Sequence, residues 1–249
     1  MAAKFIQSLF NLFGLEVIRR TALPIEASEA DKRIVARVRP YTMTSSDRLW
    51  ALIQSVRYVV ESAVPGDFVE CGVWRGGSAM AMAMTLSECG RSDRRIWLYD
   101  TFSGMTGPSD VDVEAYSGRP ARKTLQRTRK KTGSSVWCLA SKNEVQANLR
   151  TTNYPAENFK IVEGDVVETL KRDIPSEIAL MRLDTDWYES TLAELEYLYP
   201  KLLRGGVCII DDYGYWRGAR KAVDEYFQTH GIHVLLNKID ECGRIFVKP

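Results

Sequence analysis

From residue 65 onward, short apolar runs alternate with segments whose apolar residues recur at helical spacing. Runs at 67–71, 96–99, 160–163, 178–183, 207–210, 233–236 and 245–247 predict strands, and the patterns between them predict helices over 78–88, 166–172, 190–203 and 219–230. Strands buried on both faces need continuous apolar runs, and strands separated by helical crossovers pair in parallel. The expected architecture is therefore α/β, a doubly wound, mostly parallel sheet of seven strands whose last two form a terminal hairpin. Upstream, 45–62 opens on the capping residues Ser45, Ser46 and Asp47 and carries Leu49, Ile53, Val56 and Val60 at helical spacing, which predicts a helix covering the sheet. Residues 23–40 are charged and weakly patterned and read as a connector with a short helix. The division expected is an N-terminal helical extension over 1–64 and the main domain over 65–249.

Two segments depart from this rhythm. On a helix, Phe5, Ile6, Leu9, Phe10, Phe13 and Val17 share one face while Lys4, Gln7, Ser8 and Asn11 lie opposite, so residues 1–20 predict an amphipathic helix too short and polar to span a bilayer. It reads either as an arm packing on the core or on a second copy in a homo-oligomer, or as a peripheral membrane anchor at the inner face, with Lys4, Arg19 and Arg20 meeting anionic lipid. The stretch 103–135 is rich in Gly, Pro, Ser, Arg and Lys and follows a strand's carboxyl end. A long polar insertion there reads as a lid or substrate-facing loop, and its basic run, Arg127 to Lys131, as a solvated helix face.

Across 249 residues, 34 Lys and Arg stand against 32 Asp and Glu, a net charge of +2, so bulk attraction to nucleic acid is excluded and no such partner is expected. Five scattered cysteines, Cys71, Cys89, Cys138, Cys208 and Cys242, form no Cys-x-x-Cys pair. That argues against a disulfide framework or structural zinc and fits a reducing cytoplasm.

Chemistry concentrates at strand ends. The first strand breaks into a Gly-rich turn, Glu70-Cys71-Gly72-Val73-Trp74-Arg75-Gly76-Gly77-Ser78, and then a helix. Glycines let backbone approach a cofactor closely, and the helix N–H groups favour a carboxylate or phosphate. The pattern Glu-x-Gly-x-x-x-Gly differs from the Gly-x-Gly-x-x-Gly of dinucleotide binders. Asp100 ends the next strand, where an acid accepts two ribose hydroxyls, and Asp165 ends another, where it suits an adenine amino group.

With these segments in hand, the chain resembles the class I S-adenosylmethionine methyltransferases, which have a Rossmann-like fold, and more narrowly the macrocin O-methyltransferase (TylF/MycF) family. The resemblance rests on segments 65–78, 99–105 (YDTFSGM), 141–149 (SKNEVQANL), 163–170, 181–191 (MRLDTDWYEST) and 202–227, in family order. It implies S-adenosylmethionine bound by Glu70, Gly72, Val73, Trp74, Gly76, Ser78, Asp100, Thr101, Phe102, Ser103, Ser141 and Asp165, with Thr42 and Met43 touching it from the covering helix's approach. It further implies Mg²⁺ (or Mn²⁺) on Asp184, Asp211 and Asp212, and Asp186 as catalytic base. Some relatives place a histidine base just before the 141–149 segment, whereas here the chain reads Val136-Trp137-Cys138-Leu139-Ala140.

Elementary chemistry agrees with that ligand set. Neighbouring strands would deliver three carboxylates to one sheet edge, and a hard divalent cation removes their repulsion. Oxygen-only ligation suits Mg²⁺ or Mn²⁺ better than Zn²⁺. Trp74, Trp187 and Trp216 each sit beside a motif as candidates for an acceptor wall. The expected activity is O-methylation of a hydroxyl on a sugar, glycan or other natural-product acceptor. Two rivals remain at this level. Asp184-Thr185-Asp186 is also the Asp-x-Asp metal motif of glycosyltransferases, and a methyltransferase-like fold can serve as a non-catalytic partner subunit.

Overall fold

The computed structural model describes residues 23–128 and 137–249. Strands β1 (Asp67–Cys71), β2 (Ile96–Asp100), β3 (Phe159–Glu163), β4 (Ile178–Leu183), β5 (Leu202–Ile210), β6 (Asn237–Lys238) and β7 (Arg244–Val247) form one sheet in the order β3-β2-β1-β4-β5-β7-β6. The first five run parallel; β7 returns antiparallel to β5 and β6 pairs antiparallel with β7. Described helices are α1 (Glu29–Val38), α2 (Ser46–Glu61), α3 (Gly77–Glu88), α4 (Ala121–Thr128), α5 (Lys142–Arg150), α6 (Val166–Thr169), α7 (Tyr188–Leu198) and α8 (Arg217–Thr229).

Side chains alternate across each strand, so Phe68 and Leu180 face one core while Val69, Cys71, Met181 and Leu183 face the other. The first core is closed by α1, α2, α3 and α5, the second by α6, α7 and α8. Ile34, Val38, Leu49, Ile53 and Val56 share the first core with the strands, so the segment ahead of residue 65 supplies part of the sheet's covering layer.

Where elements differ from expectation, the cause is local. The strand expected at 233–236 is not formed: Val234 and Leu236 pack on the second core outside any ladder, and the ladder forms at Asn237 and Lys238, both exposed. The helix expected over 190–203 ends at Leu198, because Pro200 offers no backbone N–H, and β5 begins at Leu202. The helix expected over 166–172 is the single turn of α6. In the presumed connector, Ser28 and Asp31 make a reciprocal capping box that starts α1. Helix α5 is an addition, with only Val145 and Leu149 buried.

Among the described residues no helix is long and apolar enough to cross a membrane. The amphipathic helix expected over 1–20 and most of the basic run of the insertion, 129–131, lie outside the described residues.

Candidate active site

The order in which strands are added to the sheet reverses at β1, which sits between β2 and β4. The carboxyl ends of β1, β2, β4 and β5 therefore open on a crevice, the usual ligand site of such a sheet. Gly72, at φ +82°, makes the crevice floor: a Cβ there would lie 1.9 Å from the Asp184 carbonyl oxygen. Only glycine lets the turn after β1 press against the loop after β4, where Asp184 N donates to Cys71 O at 2.9 Å.

Among the described residues, seven carboxyl groups line the cavity, those of Glu70, Asp100, Asp165, Asp184, Asp186, Asp211 and Asp212, against two guanidinium groups, Arg48 and Arg182. Arg182 projects from the middle of the buried β4 and is 2% exposed. It reaches Glu70 Oε1 and Asp184 Oδ2, both at 2.8 Å, and Asp211 Oδ1 at 2.9 Å, and it donates to Thr44 Oγ1 at 2.9 Å. Arg48 of α2 pairs with Asp211 and, at 2.9 Å, with Asp240. Burial works against both arginine charges, but the surrounding carboxylates outweigh it and raise their pKa values. Burial pushes Glu70 up to about 7 even with Arg182 beside it.

Asp186 follows with φ +70°, a left-handed conformation uncommon outside glycine. Its amide donates to Asp212 Oδ2 at 3.2 Å, and its Oδ1 accepts the Trp216 indole N–H at 2.6 Å. Burial, then the neighbouring Asp184 charge, raise its pKa to about 8, against the opposing indole hydrogen bond. Trp216 is itself fixed edge-on against Trp187, at 5.0 Å between ring centroids, and against Tyr215 at 4.9 Å.

The structure brings together Thr42, Met43, Glu70, Gly72, Val73, Trp74, Ser78, Asp100, Thr101, Asp165, Asp184, Asp186, Asp211 and Asp212 around this one cavity. Gly76, Phe102, Ser103 and Ser141 do not line it. Gly76 and Ser141 are helix N-caps, and Phe102 belongs to the first core. Both Asp100 oxygens accept backbone N–H groups: Oδ2 from Val73 and Trp74 at 2.7 and 2.9 Å, Oδ1 from Phe102 at 2.7 Å. The acid thus shapes the Gly-rich turn as well as facing the cavity.

Burial raises the Asp184 and Asp212 carboxyls well above the ordinary range, and the neighbouring aspartates add to it. These are hard oxygen donors, whose chemistry suits a divalent cation. Their arrangement here is directed elsewhere: Asp184 and Asp211 face Arg182, and among the described residues no three His, Cys, Asp or Glu side chains converge as a ligand set.

The reading of the sequence missed Arg48 and Arg182, both of which line the site. A signal was present in the second, since a charged residue inside the otherwise apolar strand Ile178–Leu183 needs buried partners. It also left unmarked the wall made by Gly104, Met105 and Thr106 of the insertion. This insertion is docked at the site: Val113 and Glu114 bridge to Pro120 and Trp216, and Asp112 Oδ1 accepts Tyr188 N at 2.8 Å.

An open sheet with its first strand central, an antiparallel seventh strand, and an acid-lined crevice at the switch point define the class I methyltransferase fold. The chain belongs to the macrocin O-methyltransferase (TylF) family, whose model matches residues 7–248. It is 36% identical over 203 residues to the demethyldecarbamoylnovobiocin O-methyltransferase of Streptomyces niveus, covering 82% of this chain and 74% of that one. To the mycinamicin III 3''-O-methyltransferase of Micromonospora griseorubida it is 31% identical over 203 residues, 82% and 76% of the two chains. The solved O-methyltransferase NovP matches with TM-score 0.71 and 35% identity over 84% of this chain and 82% of that one. The chain is thus an enzyme, an S-adenosylmethionine-dependent O-methyltransferase with a small-molecule acceptor. That settles Asp184-Thr185-Asp186 against the glycosyltransferase reading, and the chain against a non-catalytic subunit.

Proposed function

We propose that the enzyme methylates a hydroxyl of a sugar or sugar-bearing natural product, with Mg²⁺ or Mn²⁺ held by Asp184, Asp211 and Asp212. One observation carries the reading: a cavity with seven carboxyls and two arginines favours positively charged occupants, which a sulfonium donor and a divalent cation both are. The relatives support the acceptor class: one is named for 4'-O-methylation of a rhamnosyl-bearing tetracenomycin C, another for 3''-O-methylation of mycinamicin III.

Asp100 would hold the ribose of the methyl donor and Asp165 its adenine. When bound, the divalent cation lowers the pKa of an acceptor hydroxyl as a Lewis acid. Asp186 takes the hydroxyl proton on the carboxylate that Trp216 holds in place, and alignment of oxygen, methyl carbon and sulfur supplies much of the remaining acceleration.

Asp184→Asn and Asp186→Asn separate the roles. The first weakens cation binding, so excess Mg²⁺ restores turnover in part. The second removes the base, a loss of about 10²–10⁴-fold that no amount of metal repairs. Rescue of Asp186→Asn by metal would make Asp186 a ligand and leave the base elsewhere.

A further inference from the structure

Glu194 lies on the sheet-facing side of α7 with no solvent exposure. Its Oε1 accepts the Thr185 hydroxyl at 2.8 Å, and the Cys71 thiol hydrogen-bonds to the same carboxyl group. The groups facing it are the Cys71 thiol of β1, the Cys208 thiol of β5, Thr185, and the Asp186 carboxyl beyond. It makes no ion pair among the described residues. A carboxylate buried without a cation is costly, so the group resides as a neutral acid, and burial raises its pKa to about 8.

Thr185 is the centre of the Asp184-Thr185-Asp186 turn, and it is held from both sides. Its hydroxyl is fixed by Glu194; its carbonyl accepts Trp187 N at 2.8 Å and Ser190 Oγ at 3.2 Å. The next residue is the left-handed Asp186. Such a conformation persists in a non-glycine residue only where its surroundings over-determine it.

We propose that Glu194 is a positioning residue that clamps Thr185 and so keeps the Asp184-Thr185-Asp186 turn aimed into the cavity. The consequence for catalysis rests on the role assigned above to Asp186; the clamp itself does not.

Hydrogen–deuterium exchange of the full chain tests this through the Asp186 and Trp187 amides. Glu194→Leu and Thr185→Val should each speed exchange of these amides about tenfold at pH 7, the scale of one lost hydrogen bond. Glu194→Gln, which still accepts from Thr185, should match wild type. Exchange at β1 and β5 reports the global fold and should not change. The clamp is overturned if Thr185→Val leaves the turn protected, or if Glu194→Gln loosens it as much as Glu194→Leu. Should exchange behave as expected while Asp186→Asn retains full turnover, the clamp stands and the reading of Asp186 fails.

Discussion

Replacing Arg182 by Met removes the guanidinium that joins β1, β4, β5 and the chain leading into α2. In the wild type it meets Glu70, Asp184 and Asp211 within 2.8–2.9 Å, at 2% exposure. Methionine fills most of the space but leaves three carboxyls with Arg48 alone. Losing one partner of a buried ionic cluster costs about 3–5 kcal/mol. For a chain of this size that is about 6–20 °C of melting temperature, at about 2–4 °C per kcal/mol. The loss should also depend on pH, with a definite sign. Glu70 already titrates at about 7 in the folded wild type, against 4.5 for an ordinary glutamate. Without Arg182 its folded pKa rises further, while the unfolded value stays put. A carboxyl whose folded pKa is raised costs stability as pH climbs from the unfolded to the folded pKa, about 1.4 kcal/mol for each pH unit. Wild type therefore stops losing stability from this group near pH 7, whereas Arg182→Met keeps losing it above. Thermal melts in EDTA at pH 5 and pH 8 should show a gap between the two proteins that is wider at pH 8. Arg182→Lys, which restores charge without the fork, should recover part of it. A gap below 2 °C, or one that narrows from pH 5 to pH 8, would refute the idea that Arg182 neutralises these carboxyls.

Two glycines yield further tests. Gly72→Ala should abolish activity and lower stability steeply, because the new methyl would sit 1.9 Å from the Asp184 carbonyl oxygen at φ +82°; circular dichroism melts and turnover check it, and a wild-type melting temperature would contradict the geometry. Gly218→Ala should undock the insertion, since its Cβ would lie 1.8 Å from the Asp112 carboxylate that caps α7; limited proteolysis within 103–128 should accelerate while the sheet stays resistant.

The parallel strands were legible because burial on both faces requires unbroken apolar runs: β1 and β4 fall where the pattern puts them. The edge was not legible, because Asn237 and Lys238 are exposed and their pairing depends on where β7 arrives. Most of the candidate site could be read from acids at strand ends, since a strand–loop junction in such a sheet points at one crevice. What could not be read is how those acids are balanced. Arg48 lies 163 residues from Asp211 along the chain, and nothing in the local pattern of α2 announces the pair. Glu194 looks like a surface position in a helix of mixed polarity, and only the packing of α7 on β1 and β5 buries it. The insertion was legible as a departure from rhythm, but its docking through Asp112 depends on Gly218 in a helix about a hundred residues later.

Calorimetric titration of S-adenosylhomocysteine, in EDTA, into wild type and Asp100→Ala tests the central claim most directly: that the crevice formed by the turn after β1 and the end of β2 holds the methyl donor. The account predicts one site per chain in wild type, independent of metal, and a loss of affinity of at least tenfold in Asp100→Ala at unchanged binding stoichiometry of folded protein. Undiminished binding to Asp100→Ala, or none to wild type, would contradict it.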